Sequence, residues 1–205
     1  PFVVIATVGS EGLDCSPRGD PAGFVRVKDR KTVLIPDRRG NNRIDTLRNI
    51  VRDPRIALLF IIPGIGNTLR INGRADILDD ADLLESFSHQ GKPPRTVLSV
   101  TAESVYFQCP KAFVRSRLWS ADAQIARSEL PSTGDMLARL SKGSIDASEY
   151  DRAYPARLKE TLFDAYVFID WSASSRPKTG ADSIWIGAGA FDATGTLIVD
   201  QPINP

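Results

Sequence analysis

Histidine is almost missing from this sequence of 205 residues: His89 is the only one, and the two cysteines, Cys15 and Cys109, are far apart with no CxxC spacing. A structural zinc site draws about four ligands from these residue types, so the inventory argues against one. The same shortage leaves little for a Cys–His nucleophile. His89 sits in Ser88-His89-Gln90-Gly91-Lys92, a polar stretch that reads as a surface turn. Long apolar runs are absent too. The longest, residues 56–62, has the length of a strand and not of a membrane span, and no signal peptide is visible. A reducing cytoplasm with both thiols free is therefore the expectation. Among phosphate motifs, GxxxxGK[ST] does not occur, and Gly64-Ile65-Gly66 lacks a third glycine and leads into a strand, which excludes a dinucleotide fingerprint. Neither charge sign dominates: 26 Lys+Arg stand against 25 Asp+Glu. That balance speaks against a generic binder of polyanions.

What is present is an alternation of short apolar runs and turn signals. The chain begins Pro1-Phe2-Val3-Val4-Ile5-Ala6-Thr7-Val8, a strand where a start is expected, which suggests a missing N-terminal segment. Gly9-Ser10-Glu11-Gly12 reads as a turn with residues 13–16 as the return strand. Residues 24–27 and 32–35 form a second hairpin around Lys28-Asp29-Arg30-Lys31. Ile44, Leu47, Ile50 and Val51 recur at helical spacing, predicting a short helix capped by Asn41 or Asn42 and ending near Asp53-Pro54. Strands are expected at 56–62, 68–78 and 97–108, with a helix at 79–88. Repeated hairpins interrupted by a helix point to a closed or nearly closed antiparallel barrel. Beyond residue 120 the pattern turns helical over 133–140 and 148–162. The β-like runs 166–171, 183–187 and 196–199 then follow around a polar loop.

The balanced total conceals a local excess. Residues 1–74 carry 13 Lys+Arg and 7 Asp+Glu, and the arginines gather at two turns. One is Ser16-Pro17-Arg18-Gly19-Asp20-Pro21-Ala22-Gly23, the other Asp37-Arg38-Arg39-Gly40-Asn41-Asn42-Arg43. The second opens a helix, where backbone N–H groups and guanidinium forks favour a phosphate. The other reading of these arginines is a solvated charged face.

The stretch Cys15-Ser16-Pro17-Arg18-Gly19-Asp20-Pro21-Ala22-Gly23-Phe24-Val25-Arg26-Val27 is followed by Ile35-Pro36-Asp37-Arg38-Arg39-Gly40-Asn41-Asn42-Arg43-Ile44-Asp45-Thr46-Leu47. With Thr68-Leu69-Arg70-Ile71-Asn72-Gly73-Arg74 and Cys109-Pro110-Lys111-Ala112-Phe113-Val114-Arg115-Ser116-Arg117-Leu118-Trp119, it resembles the pyridoxamine 5′-phosphate oxidase-like flavoproteins over roughly residues 1–160. The resemblance implies a mainly β fold, an antiparallel split β-barrel with short helices, as a homodimer holding FMN at the subunit interface. It implies that Arg18 is the basic strand-end residue of the phosphate site. Asn41, Asn42 and Arg43 fall where relatives carry a Ser-Arg-Lys-like triplet, with two amides in place of charged or hydroxyl groups. Arg38 or Arg39 then shares the phosphate charge. Ser16 and Pro17 fall beside the isoalloxazine ring, and Thr68, or Asn67 next to it, falls where relatives place a flavin-contacting Gln. Lys111, Arg115 and Arg117 either reach the cofactor or substrate of the partner subunit or form a packed interface helix. Trp119 reads as a core or interface anchor.

The implied activity is that of an FMN-dependent oxidoreductase with a small-molecule redox substrate. No Arg-x-His substrate-phosphate element is present, so oxidation of pyridoxamine phosphate itself is not expected. A flavin-storing or flavin-sensing module without turnover is the alternative, and a nucleic-acid-associated barrel a remoter one. Whether a deazaflavin replaces FMN is open. Residues 161–205 read as a separate C-terminal β appendage, the start of a fused domain or a hairpin packed on the barrel. Asp170 with the following run weakly resembles the first hairpin of ribonuclease H-like folds, but one carboxylate cannot make a two-metal site.

Overall fold

Alternating side chains in the first strand decide where the interior lies. A computed structural model describes residues 2–10, 12–38 and 44–161, and beyond them the backbone of three strands at 166–170, 185–191 and 197–199. In β1 (Phe2–Gly9), Val3, Ile5 and Thr7 are buried while Phe2, Val4, Ala6 and Val8 face the other way. The other elements of the first 124 residues are β2 (Gly12–Gly19), β3 (Arg26–Val27), β4 (Thr32–Asp37), α1 (Asp45–Arg52), β5 (Arg55–Ile61), β6 (Thr68–Leu78), α2 (Ala81–Ser86), β7 (Thr96–Gln108) and α3 (Lys111–Ser116). All seven strands join one antiparallel sheet in the order β2-β1-β5-β6-β7-β4-β3. The expected β architecture and its hairpins are present, and this is the split-barrel fold.

The main core gathers Val3, Ile5, Ile35, Leu58, Ile71, Leu98 and Val100, all nearly inaccessible. Each such side chain contributes roughly 1.5–3 kcal/mol by leaving water. A second cluster, Leu34, Phe87 and Val97, lies on the opposite face of β4. That strand is buried on both sides, which is why Leu34, Ile35, Pro36 and Asp37 are consecutively hidden.

Helix α1 departs from its expected apolar stripe. Ile50 is buried, but Ile44 and Val51 are 42% and 77% exposed, and the buried face is completed by Thr46 and Asn49. These polar residues sit at i and i+3 with Ile50 next to Asn49, and both are hydrogen-bonded inside: Asn49 donates to Thr7 Oγ1 at 3.0 Å and Thr46 accepts from Arg18. The N-cap position belongs to Ile44, not to Asn41 or Asn42, and no side chain caps the helix there.

The chain divides into two compact units, residues 1–38 with 44–124, and a second that begins at residue 125. In the second, α4 (Thr133–Leu140) starts from a capping box in which Ser132 and Asp135 satisfy each other's backbone N–H groups. It packs on α5 (Ala147–Thr161), where Gly134 donates to Asp151 Oδ1 at 2.9 Å. The strands β8 (Tyr166–Asp170), β9 (Trp185–Phe191) and β10 (Leu197–Val199) form a separate antiparallel sheet in the order β10-β9-β8. The expected runs are thus strands, while the loop between the first two lies outside the described residues. Among the described residues no helix is long and apolar enough to cross a membrane.

Two measurements test this packing. The register of β6 against β7 shifts at Asn72/Gly73, and a Cβ on Gly73 would lie 2.0 Å from the Thr101 carbonyl oxygen. Gly73→Ala is expected to cost about 3 kcal/mol in denaturant unfolding; an unchanged midpoint would show that the strands part freely there. Asp53, at the C-terminal end of α1, accepts from the side chain and the backbone N–H of Arg55, which hold its carboxyl down from 3.8 to about 2. Its contribution to stability is therefore complete above pH 4 and lost as pH falls toward 2. An NMR titration of the carboxyl carbon should place the midpoint near pH 2, and a midpoint near 4 would remove the pair.

Candidate functional site around Arg18

On β2 the alternation sends Asp14, Ser16 and Arg18 inward and Leu13, Cys15 and Pro17 outward. Arg18 pairs in the ladder with Val3, which is fully buried, so its guanidinium is carried out of water and must find partners. Nη1 donates to the Pro17 carbonyl at 2.9 Å and Nη2 to Thr46 Oγ1 at 3.3 Å. Nε lies 3.7 Å from Asp37 Oδ1, with both side chains 9% exposed. Burial lowers the guanidinium below its ordinary value, and the carboxylates of Asp37 and Asp14 oppose that shift. The group stays cationic.

A guanidinium carries five N–H donors. Pro17 and Thr46 take one each and Asp37 faces a third, leaving one N–H on each Nη without a partner among the described residues. Thr46 belongs to the first turn of α1, where the N-cap residue Ile44 brings no capping side chain. A buried cation beside a helix start is a donor set for an oxyanion. Asp37 and Asp45 offset part of the positive field, which suits one phosphate and not a polyanion.

Ser16 is half-buried, with its hydroxyl 3.5 Å from Asp14 Oδ2, and Pro17 is exposed. Thr68 is buried and pairs with Gln108, and Asn67 Nδ2 lies 3.5 Å from the Gln108 carbonyl. In the ladder Gly19 lies opposite Phe2 and Phe2 opposite Ile61, while β6 begins and β7 ends at Thr68 and Gln108. The sheet therefore brings residues 16–18, residues 67–68 and the start of α3 to one end. Lys111 opens α3 and is exposed; Arg117 follows it in the left-handed region and pairs with Asp122 at the surface, where an ion pair contributes little.

Trp119 anchors the loop before β6: its Nε1 donates to the Ile65 carbonyl at 3.0 Å and its ring stacks on Phe113. Arg38 is engaged in the fold, its Nε donating to Asp20 Oδ2 and its Nη1 to the Phe87 carbonyl, each at 2.5 Å. Arg39, Asn41, Asn42 and Arg43 lie outside the described residues. Both cysteines are free and exposed, and among the described residues no cluster of three or more His, Cys, Asp or Glu could hold a metal.

Sequence reasoning passed over Asp20, Asp37, Thr46 and Asn49. The available signal was the pair of polar residues at i and i+3 beside Ile50, on a face otherwise apolar. For Asp20 and Asp37 no local signal exists, since their partners are 18 and 19 positions away.

No curated protein matches the sequence. Solved structures resemble it in part. HupZ of Group A Streptococcus is 19% identical with a TM-score of 0.42, covering 52% of this chain and 83% of its own. General stress protein 26 of Bacillus anthracis is 14% identical with a TM-score of 0.40, covering 52% and 82%. A Clostridium acetobutylicum protein related to general stress protein 26, of the pyridoxinephosphate oxidase family, is 19% identical with a TM-score of 0.39, covering 52% and 78%. Residues 1–109, more than half of the chain, match the family described as pyridoxamine 5′-phosphate oxidase. With that match laid over the antiparallel sheet that carries Arg18, the chain belongs to the pyridoxamine 5′-phosphate oxidase family of flavin-binding split-barrel proteins.

Proposed function

We propose that this protein binds FMN and acts as an FMN-dependent oxidoreductase on a small-molecule substrate. The observation that carries the reading is Arg18, a buried guanidinium that among the described residues keeps one N–H on each Nη without a partner, beside the start of α1. In this reading Arg18 and the first turn of α1 hold the phosphate, together with Arg39, Asn41, Asn42 and Arg43. Ser16, Pro17, Asn67 and Thr68 line the isoalloxazine ring, and Lys111 and Arg117 serve the site from the partner subunit. The redox chemistry, a hydride taken from a reduced partner and electrons passed to an oxidant, is what bound FMN supplies. The chain's own part is to bind, orient and shield the cofactor, work that calls for no histidine base.

The outer face of the sheet supports a homodimer. Leu13, Cys15 and Pro17 of β2 lie against Val8, Ala6 and Val4 of β1, and Ala6, Val4 and Phe2 against Ala57, Leu59 and Ile61 of β5. Leu13 is 84% exposed and Phe2 38%, so an apolar face of this extent calls for a second copy. The free, exposed thiols suit the reducing cytoplasm. Residues 161–205 are proposed as an appendage to the flavin-binding part.

Heat release of bound ligand from the purified full chain, followed by mass spectrometry, is expected to give FMN. Reduction by NAD(P)H should bleach the flavin colour; a yellow protein that does not bleach marks a non-catalytic flavin module. A colourless protein with salt-sensitive oligonucleotide binding would favour the nucleic-acid reading. Arg18→Ala with Arg43→Ala should abolish FMN retention, and Arg18→Lys alone should weaken it by roughly 1.5–3 kcal/mol through loss of the fork. Unchanged retention in both would sink the site.

A further inference from the structure

Two ion pairs link the ends of β2 and β4, strands that share no ladder. In the first, the cation comes from β2 and the anion from β4: Arg18 with Asp37. In the second the order is reversed. Asp20, one residue past β2, accepts from Arg38, one residue past β4. The Asp20 side chain is 2% exposed and that of Arg38 16%. The other end of the Arg38 guanidinium is held by the carbonyl of Phe87, a fully buried residue whose ring lies 3.8 Å under the guanidinium of Arg26. Arg26 in turn donates to the Ser86 carbonyl at 2.6 Å, so the exit from β4 is tied through α2 as well as through β2.

Stability alone does not account for such a pair. Two charges leave water to form it, and Asp20 Oδ1 is buried with no hydrogen-bond partner. Buried ion pairs are frequently no better than apolar replacements in free energy, and an orphaned buried oxygen is a further cost. What the pair does supply is a fixed distance. Arg18 and Asp20 stand two residues apart on one chain end, and Asp37 and Arg38 are adjacent on the other. The crossed pairs leave one register in which both are satisfied. That register holds Asp37 where it meets Arg18 as Arg18 reaches Thr46 of α1.

We infer that Asp20 is a positioning residue: through Arg38 it fixes the end of β4 against β2, and so sets Arg18 and the first turn of α1 at the spacing one phosphate requires. Arg38 is then a tether and not a phosphate ligand. The inference rests on the reading of Arg18 and α1 as the cofactor's phosphate site.

The test compares FMN with riboflavin, which lacks the phosphate, on the full apo chain. Fluorescence titration of the wild type is expected to show a clear preference for FMN. Asp20→Asn, which keeps the shape and one acceptor, should lower FMN affinity about tenfold, the scale on which outer partners act on a binding group, with riboflavin affinity unmoved. Arg38→Gln should do the same, and the double variant should be no worse than either single one, because the two act as a unit. Thermal unfolding of each apo variant identifies any that fail to fold. Asp20→Glu, which keeps the charge but shifts Arg38 by one methylene, is the second variant, and it too should lower the FMN-to-riboflavin ratio. A wild-type ratio in folded Asp20→Asn and Asp20→Glu overturns the inference, as does a loss confined to Arg38→Gln, which would make Arg38 a direct ligand. A wild-type chain that binds both flavins alike overturns the phosphate-site reading itself and this inference with it.

Discussion

A guanidinium held away from water must be met by groups that the chain brings to it, and Arg18 is met from three directions: its own strand, the end of β4 and the first turn of α1. Much else in the first unit follows from that requirement. The strands β2 and β4 are distant in the sheet order, so the sheet must coil for their ends to meet, and side chains complete the closure where ladder hydrogen bonds do not. Asp37 is buried because β4 is covered on both faces, by the main core on one side and by Leu34, Phe87 and Val97 on the other. Helix α1 is drawn in by its polar residues as much as by Ile50, since Thr46 serves Arg18 and Asn49 serves Thr7.

The same arrangement explains how a nearly neutral chain keeps a cation buried at one point. Asp37 and Asp14 temper Arg18, so the cation can be buried without an uncompensated charge. A helix start beside it adds donors without adding net charge. The outcome is a tempered cation next to a sheet whose outer face is apolar across three strands. Alternation along β2 thus sends Arg18 to the buried face and Leu13, Cys15 and Pro17 to the apolar outer one.

Most of the fold was legible in the sequence because it is local. The hairpin after Val8, strands β5 and β6, and helix α4 each follow from turn residues and apolar period within a short window. The cap of α1 was not, since Asn41 and Asn42 are good capping residues and only the backbone conformation reveals that Ile44 holds the position. The buried face of α1 was misjudged for a related reason: apolar spacing favoured Ile44 and Val51, whereas hydrogen bonds to distant strands favoured Thr46 and Asn49.

The candidate site divides along the same line. From sequence alone came the seven strand segments of the first unit, their antiparallel reading, the basic turns at residues 16–23 and 37–43, and the family, because each rests on residue types at short separation. Which arginine is buried beside α1 and which closes on an acid depended on partners far away in the chain. Arg18 and Arg38 both precede or follow a strand end and look alike as sequence. Tertiary structure placed one beside Thr46 and closed the other on Asp20 and the Phe87 carbonyl. Burial and counter-charge are properties of the folded neighbourhood, and no spacing within either turn encodes them.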